Sequence, residues 1–137
     1  MVCVYCNGKT KVTNSRPQKR LRQTWRRREC TLCGAVFSTI ESTDLTSSLR
    51  VRFPDGNMEP FERDKLYISI VSALGHRRDA VTISKAITAT VIAKLLKTAQ
   101  GACVNREMIC MVVISTLKSF DTPAAVQYEA YHDNKPT

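Results

Sequence analysis

Apolar side chains recur every three or four residues through the second half of the chain, which is the spacing of an amphipathic α-helix. The pattern predicts helices over residues 62–74, 82–99 and 105–119, and a last helix that begins at Thr122. Asn105 is the expected amino-terminal cap of the third helix. The residues expected to face a common core are Leu66, Ile70, Ala73, Leu74, Ile83, Ile87, Val91, Leu95, Ile109, Val112, Val113 and Leu117.

The segment before these helices predicts a β-hairpin. Residues 49–53 and 58–61 have strand character and flank Pro54-Asp55-Gly56-Asn57, a strong turn sequence. The predicted fold class is therefore α+β, because a small β unit precedes a mainly α-helical domain that carries this hairpin. The predicted organisation is a ribbon at 1–42, a polar linker at 43–48, the helical domain at 49–132 and a polar tail at 133–137.

Residues 1–42 contain three short stretches that favour extended structure. Residues 10–13 and 23–26 are the first two, and a polar, proline-marked connection over residues 14–20 separates them. Residues 35–40 are the third. So small a unit buries too little apolar surface to be stable alone, and this predicts that a metal contributes to its folding.

The metal ligands are predicted by two Cys-x-x-Cys pairs, formed by Cys3, Cys6, Cys30 and Cys33. A two-residue gap lets a tight turn point both sulfurs at one centre, and two such turns supply the four thiolates of a tetrahedral zinc site. Gly8 and Gly34 follow the pairs and provide unhindered backbone near the metal. Since protein fills all four positions, the single zinc is expected to be structural.

Two other uses of paired cysteines fit the sequence less well. A disulfide-stapled secreted domain would need a leader, and no hydrophobic leader follows Met1. A thioredoxin-like redox motif would place one pair at the start of a helix in a βαβ unit, whereas here two pairs flank a basic hairpin. A zinc ion bound by the four cysteines is therefore predicted.

The basic residues are concentrated in the part of the chain that carries the cysteines. Residues 1–50 hold ten Lys or Arg against three Asp or Glu, which gives +7 of the total formal charge of +9. Such an asymmetry indicates a polyanionic partner for the ribbon, and double-stranded DNA is the expected one. A basic face kept for solubility is the alternative. No apolar run is long enough for a transmembrane helix, and the expected location is the cytoplasm.

The run Trp25-Arg26-Arg27-Arg28 supplies the candidate DNA contacts. In an extended strand, alternation places Arg26 and Arg28 on one face and Trp25 and Arg27 on the other. Arg26 and Arg28 are the expected base or minor-groove contacts, with Arg16 and Arg27 as phosphate or base partners. Arg16 is expected to add to the surface of Arg26 and Arg28 from the preceding connection. Trp25 either covers the small core of the ribbon or stacks on a base.

The sequence offers no catalytic constellation. His76 and His132 are isolated, and no glycine loop of the Walker type is present. Cys110 is expected to be a small core residue on an apolar helix, and Cys103 lies beside a helix start. The protein is therefore not expected to be an enzyme.

With both halves considered, the chain resembles the NrdR family, bacterial repressors of ribonucleotide reductase genes that join a zinc ribbon to a nucleotide-binding ATP-cone. In the ribbon the resemblance rests on Cys3-Val4-Tyr5-Cys6, on Thr10-Lys11-Val12-Thr13-Asn14-Ser15-Arg16-Pro17, and on the run from Arg26 to Gly34 with Phe37-Ser38-Thr39. In the second half it rests on the run from Asp55 to Leu66.

The resemblance implies that the ribbon binds DNA, that the cone binds adenine nucleotides such as ATP or dATP, and that the nucleotide sets the homo-oligomer and hence operator affinity. Glu59 and Lys65 match family positions that contact the nucleotide, and Val51 and Arg52 complete the candidate contacts. Strand alternation would aim Arg52, a substitute for the family's lysine, at the opposite face. The family usually has Lys-Arg immediately before Asp-Gly, where this chain has Phe53-Pro54. Neither Phe nor Pro offers a cation to phosphate, so altered nucleotide binding is expected.

The leading hypothesis is a zinc-dependent, DNA-binding transcriptional repressor, located in the bacterial cytoplasm at the nucleoid. Two alternatives stay open at this point. One is an oligomerising interaction module, with lost or altered nucleotide sensing, whose ribbon binds RNA or protein. The other is a regulatory subunit that docks on an enzyme such as a reductase.

Overall fold

The computed structural model describes residues 1–133, in two compact units. The ribbon unit is Met1–Thr43, and the helical unit begins at Asp44. Five helices and two three-stranded sheets make up these units, so the predicted α+β class is confirmed. Asp133 ends the last helix, and the rest of the predicted tail, residues 134–137, lies outside the described residues.

The ribbon unit is a three-stranded antiparallel sheet in the order β1-β2-β3. Its strands are β1 (Thr10–Gln18), β2 (Gln23–Cys30) and β3 (Val36–Ser42). The central strand β2 carries the arginine run, and its last residue, Cys30, pairs with Thr10. The metal-ligand candidates therefore lie at one end of the strand that bears the candidate DNA contacts.

The prediction of an irregular connection over residues 14–20 is wrong for most of that segment. Strand β1 continues to Gln18, and only a single 3₁₀ turn, Lys19–Leu21, joins it to β2. Pairing with β2 outweighs the polar composition, and Pro17 is tolerated because β1 is an edge strand. Arg22 closes the turn in the left-handed region, with φ of 53°.

A small sheet in the order β5-β4-β6 opens the helical unit. Strands β4 (Arg50–Arg52) and β5 (Met58–Pro60) form the predicted antiparallel hairpin. The third strand, β6 (Cys103–Asn105), pairs in parallel with β4 and was not predicted. Three residues are too few for a period-two pattern, so only the tertiary pairing reveals this strand.

Four longer helices follow the hairpin, as predicted. They are α2 (Arg63–Ala73), α3 (Ala80–Thr98), α4 (Arg106–Phe120) and α5 (Thr122–Asp133). Most of the predicted core residues are buried, while Ile83, Ile109 and Val112 are half-buried against the same core. Asn105 occupies the amino-terminal cap position of α4, although its side chain makes no capping hydrogen bond.

The predicted linker at 43–48 is wrong for most of its length. Residues Leu45–Ser48 form a short helix, α1, and the Leu45 side chain packs into the core of the helical unit. Leu45 is a single apolar residue among polar neighbours, so it forms no periodic pattern that would predict its burial. The helical unit therefore begins at Asp44.

A charged cluster joins the start of α5 to the loop between α2 and α3. The Asp121 carboxylate accepts hydrogen bonds from the Ala124 N–H (3.0 Å) and from Arg77 Nη1 (3.2 Å), and it lies 3.1 Å from His76 Nε2. These groups, led by the Ala124 N–H, lower the pKa of Asp121 below its ordinary value. Arg77 also pairs with Asp79, so one guanidinium bridges two carboxylates.

Candidate metal centre and nucleic-acid interface

The two cysteine pairs fold into knuckles with the same backbone pattern. In the first knuckle, the Cys3 N–H donates to the Gly8 carbonyl (2.8 Å) and the Asn7 N–H donates to the Cys3 carbonyl (3.0 Å). Both bonds recur 27 residues later in the second knuckle. Asn7 and its counterpart Gly34 are both left-handed, with φ of 61° and 74°. The knuckles are thus structural repeats that present their sulfurs alike.

The four sulfurs converge on one centre. The Sγ atoms of Cys3 and Cys33 are 3.8 Å apart, and those of Cys6 and Cys30 are 3.5 Å apart. All four lie within 4.8 Å of one another. A zinc ion with four sulfurs at about 2.3 Å has sulfur–sulfur edges of roughly 3.8 Å. The sulfur cluster therefore has the size that a tetrahedral zinc site requires.

Gly8 is needed for lack of space rather than for an unusual backbone angle. A Cβ added there would lie 2.9 Å from Leu32 Cβ and 3.2 Å from the Sγ atoms of Cys6 and Cys30. The left-handed position of the first knuckle is Asn7 instead. The backbone thus passes so close to the sulfurs that only glycine fits.

The pKa values of two neighbouring thiols are shifted in opposite directions. The N–H of Cys33 lowers the pKa of Cys30 to about 6, with further lowering by the N–H of Leu32 and by Cys6. The pKa of Cys6 is raised to about 12, because the Cys30 sulfur and desolvation outweigh the N–H of Gly8. Backbone N–H groups thus favour the Cys30 thiolate, whereas the Cys30 sulfur and desolvation disfavour the Cys6 thiolate. A zinc ion bound by Cys3, Cys6, Cys30 and Cys33 would stabilise all four as thiolates.

One face of the ribbon sheet holds two arginines that are already bound within the protein. Arg26 forms an ion pair with Glu41. Arg28 donates from Nε to Thr39 Oγ1 (3.2 Å) and from Nη1 to Thr10 Oγ1 (3.4 Å). Arg26 and Arg28 are half-buried, and the surface that they form is called the paired face below.

The opposite face holds two exposed arginines beside the tryptophan. Arg16 pairs with Trp25 across the strands, and its Cζ lies 5.9 Å from the centre of a Trp25 ring. Arg27 follows Trp25 at the next same-face position, and its guanidinium has no hydrogen-bond or ion-pair partner among residues 1–132. Arg16, Trp25 and Arg27 are called the open face below.

The four candidate DNA contacts therefore do not form one surface. The alternation of Arg26 and Arg28 against Trp25 and Arg27 agrees with the prediction. The expectation that Arg16 shares a surface with Arg26 and Arg28 is wrong, because Arg16 lies directly opposite Trp25. Trp25 is half-buried beneath the Arg16 guanidinium, a contact that the sequence pattern did not indicate.

A cavity of about 630 Å³ lies within the helical unit, between the hairpin and helices α2, α4 and α5. Val51, Glu59 and Lys65 line it, so three of the four implied nucleotide contacts come together. Arg52 is not among its lining residues, since strand alternation directs Arg52 away from the side on which Val51 lies. Arg106 also lines the cavity and was missed, because it belongs to a distant helix.

Comparison with known proteins identifies the family. A family model described as "Transcriptional repressor NrdR-like, N-terminal domain" matches residues 1–41. A protein named "Transcriptional repressor NrdR" from Chelativorans sp. (strain BNC1) is 34% identical over 136 residues, which cover 98% of this chain and 86% of that protein. Proteins of the same name from Brucella ovis and Brucella abortus are also 34% identical, over 98% of this chain and 84% of theirs.

The chain belongs to the NrdR family. Membership supports one structural zinc at the four sulfurs, and it agrees with the expectation that the protein is not an enzyme, because NrdR proteins are named as transcriptional repressors. The NrdR zinc-ribbon match ends at residue 41, within two residues of the end of the ribbon unit. None of the helices within residues 1–133 has the length and apolar character needed to cross a bilayer.

Proposed function

We propose that the protein is a zinc-dependent, DNA-binding transcriptional repressor. The observation that carries the proposal is the convergence of four sulfurs at the end of the strand that bears three consecutive arginines, in a chain of a repressor family. Zinc fixes the ends of β2 and β3 and so holds the arginines of a small sheet in a defined arrangement. A location in the bacterial cytoplasm, at the nucleoid, is part of this proposal.

The open face is the surface proposed to meet DNA first. Arg16 and Arg27 are exposed, and neither guanidinium forms an ion pair among the described residues. On the paired face the Glu41 carboxylate offsets one of the two cations, and Arg28 already donates to two threonine hydroxyls. Phosphate would have to displace those bonds, whereas the Arg16 and Arg27 guanidinium groups on the open face form no such ion pairs or hydrogen bonds within residues 1–132. Arg26 and Arg28 are accordingly proposed as secondary contacts.

Trp25 supports this assignment by restricting Arg16. A guanidinium held over an aromatic ring loses part of its side-chain freedom before DNA arrives, so less entropy is lost on binding. Trp25 itself is half-buried, which favours a supporting role over base stacking.

The test compares two double variants that remove the same charge from opposite faces. Binding of duplex DNA by the zinc-loaded full chain is measured by fluorescence anisotropy across a salt series. If each protomer neutralises about four to six phosphates, affinity falls steeply with salt, and losing two contacts reduces the slope of log K against log salt by about 1.8 per protomer. Arg16→Ala with Arg27→Ala should show this reduction, and Arg26→Ala with Arg28→Ala a smaller one.

Three outcomes would contradict the proposal. Affinity that does not respond to salt or to either double variant would exclude an arginine-based DNA interface. A larger loss from the Arg26 and Arg28 pair, at unchanged zinc content, would assign DNA binding to the paired face. Tighter binding of RNA or single strands than of duplex DNA would favour the interaction-module alternative.

The helical unit is proposed as the regulatory and assembly part of the repressor. Its cavity has the volume of a small-molecule site, and the resemblance to the ATP-cone makes an adenine nucleotide the proposed ligand class. A homo-oligomer would pair ribbons on repeated or palindromic half-sites. Sedimentation of the full chain with and without nucleotide tests this part, and a monomer under all conditions would exclude it.

A further inference from the structure

The charges that line the helical-unit cavity limit what it can bind. Lys65 and Arg106 supply two positive charges, and Glu59 and Glu62 supply two negative charges, so the formal charge of these four is zero. His132, which also lines the cavity, is taken as neutral in this count. A chain of three phosphates carries several negative charges in a small volume and needs an excess of cations. Among the lining residues that the structure describes, the cations do not exceed the carboxylates.

The hairpin turn adds an aromatic ring to the cavity. The Phe53 N–H donates to the Asn57 carbonyl (2.9 Å), and the Phe53 carbonyl accepts from the Gly56 N–H (3.0 Å), so the backbone at Phe53 is held at both polar groups. Its side chain is half-buried and lines the cavity, while Arg52 does not. The turn thus contributes an aromatic side chain, and no cation, to the part of the lining that the structure describes.

The remaining walls suit a planar ring. Phe61, Tyr128 and Tyr131 line the cavity together with Phe53, and aromatic surfaces bind flat apolar groups well. The His132 ring already stacks on Tyr128, with their ring centroids 3.8 Å apart. Glu59 and Glu62 can accept hydrogen bonds from ring amino groups or sugar hydroxyls. Lys65 and Arg106 can bind one anionic group. A nucleoside with at most one phosphate matches this combination of walls and charges.

We propose that the cavity binds an adenine nucleoside or nucleoside monophosphate in preference to the corresponding triphosphate. The inference rests on the proposed function in one respect, since the adenine class comes from the regulatory role given to the helical unit. The preference for a ligand with at most one phosphate follows only from the charges of the lining residues.

Calorimetry with the zinc-loaded full chain tests the preference, using adenosine, AMP, ATP and dATP as probes. We expect AMP or adenosine to bind at least about tenfold more tightly than ATP, a difference of roughly 1.4 kcal/mol. Equal or tighter binding of ATP or dATP would overturn the proposal. Failure of all four probes to bind would overturn it as well.

Three variants make the test specific. Phe53→Lys adds a cation to the lining and should shift the preference towards ATP by about tenfold, the factor expected for one charge-assisted hydrogen bond. Lys65→Ala should weaken the binding of AMP while leaving the affinity for adenosine unchanged. Arg50 is exposed and lies outside the lining, so Arg50→Ala is the control. It should change the affinity for neither AMP nor adenosine. If the relative affinities for adenosine, AMP and ATP are unaltered in both Phe53→Lys and Lys65→Ala, the charges of the lining do not determine the preference.

Failure of this inference can be distinguished from failure of the proposed function. Duplex binding measured without nucleotide tests the ribbon, and it does not depend on what the cavity holds. A protein that binds DNA through the open face but prefers ATP would retain the proposed function and lose this inference alone.

Discussion

Replacing Gly8 by alanine tests how closely the backbone approaches the sulfur cluster. The added Cβ would lie 2.9 Å from Leu32 Cβ and 3.2 Å from the Sγ atoms of Cys6 and Cys30, so these neighbours must move by a few tenths of an ångström. Zinc–ligand distances are held within about 0.2 Å. The methyl group therefore cannot be accommodated without distorting the site.

The size of the effect follows from the cost of overpacking. Inserting a methyl group into a filled site costs about 1–3 kcal/mol. At 1.4 kcal/mol for each tenfold change, zinc affinity should fall by roughly 5- to 150-fold. Competition with a chromophoric chelator at neutral pH measures this change in the full chain.

Gly34→Asn is the matched control for Gly8→Ala. Gly34 has open space around it and a left-handed backbone, and its counterpart in the first knuckle is already asparagine, Asn7. Asparagine tolerates this conformation, so the control should keep zinc affinity close to that of the parent protein. Wild-type affinity in Gly8→Ala, or an equal loss in both variants, would refute the reasoning.

Two further predictions concern the helical unit. Leu117→Ala removes a fully buried side chain of α4 and should lower the free energy of unfolding by about 2–5 kcal/mol, whereas Met111→Ala on the same helix should change it by less than about 0.5 kcal/mol; urea denaturation followed by circular dichroism checks both. Because the folded pKa of Asp121 is lowered, its contribution to stability is present above the ordinary Asp pKa of about 3.9 and is lost as pH falls through the folded pKa. Asp121→Asn should therefore flatten the acid side of the stability–pH curve, and an unchanged slope would show that the Asp121 cluster does not contribute.

The sequence predicted the features that depend on local spacing. Two Cys-x-x-Cys pairs placed four sulfurs correctly, since each knuckle is formed by neighbouring residues. Apolar periodicity predicted the four long helices, and Asp55-Gly56 marked the hairpin turn. These features depend on a few adjacent residues, and a single sequence records them directly.

Features that depend on distant pairing were missed. Polar composition concealed the second half of β1, whose conformation comes from pairing with β2. Leu45 is a lone apolar residue, and only its burial shows that it belongs to the helical unit. The division of the arginines between two faces depends on the register that puts Arg16 opposite Trp25, and Arg106 reaches the cavity through tertiary packing.

The central claim is that one zinc ion holds an arginine-bearing ribbon in the shape that binds duplex DNA. Zinc content and duplex affinity measured on the same sample, before chelation, after chelation and after zinc is restored, test it most directly. We predict one zinc per chain, loss of duplex binding when zinc is removed and recovery when it returns. Undiminished duplex binding by the zinc-free protein would contradict the claim.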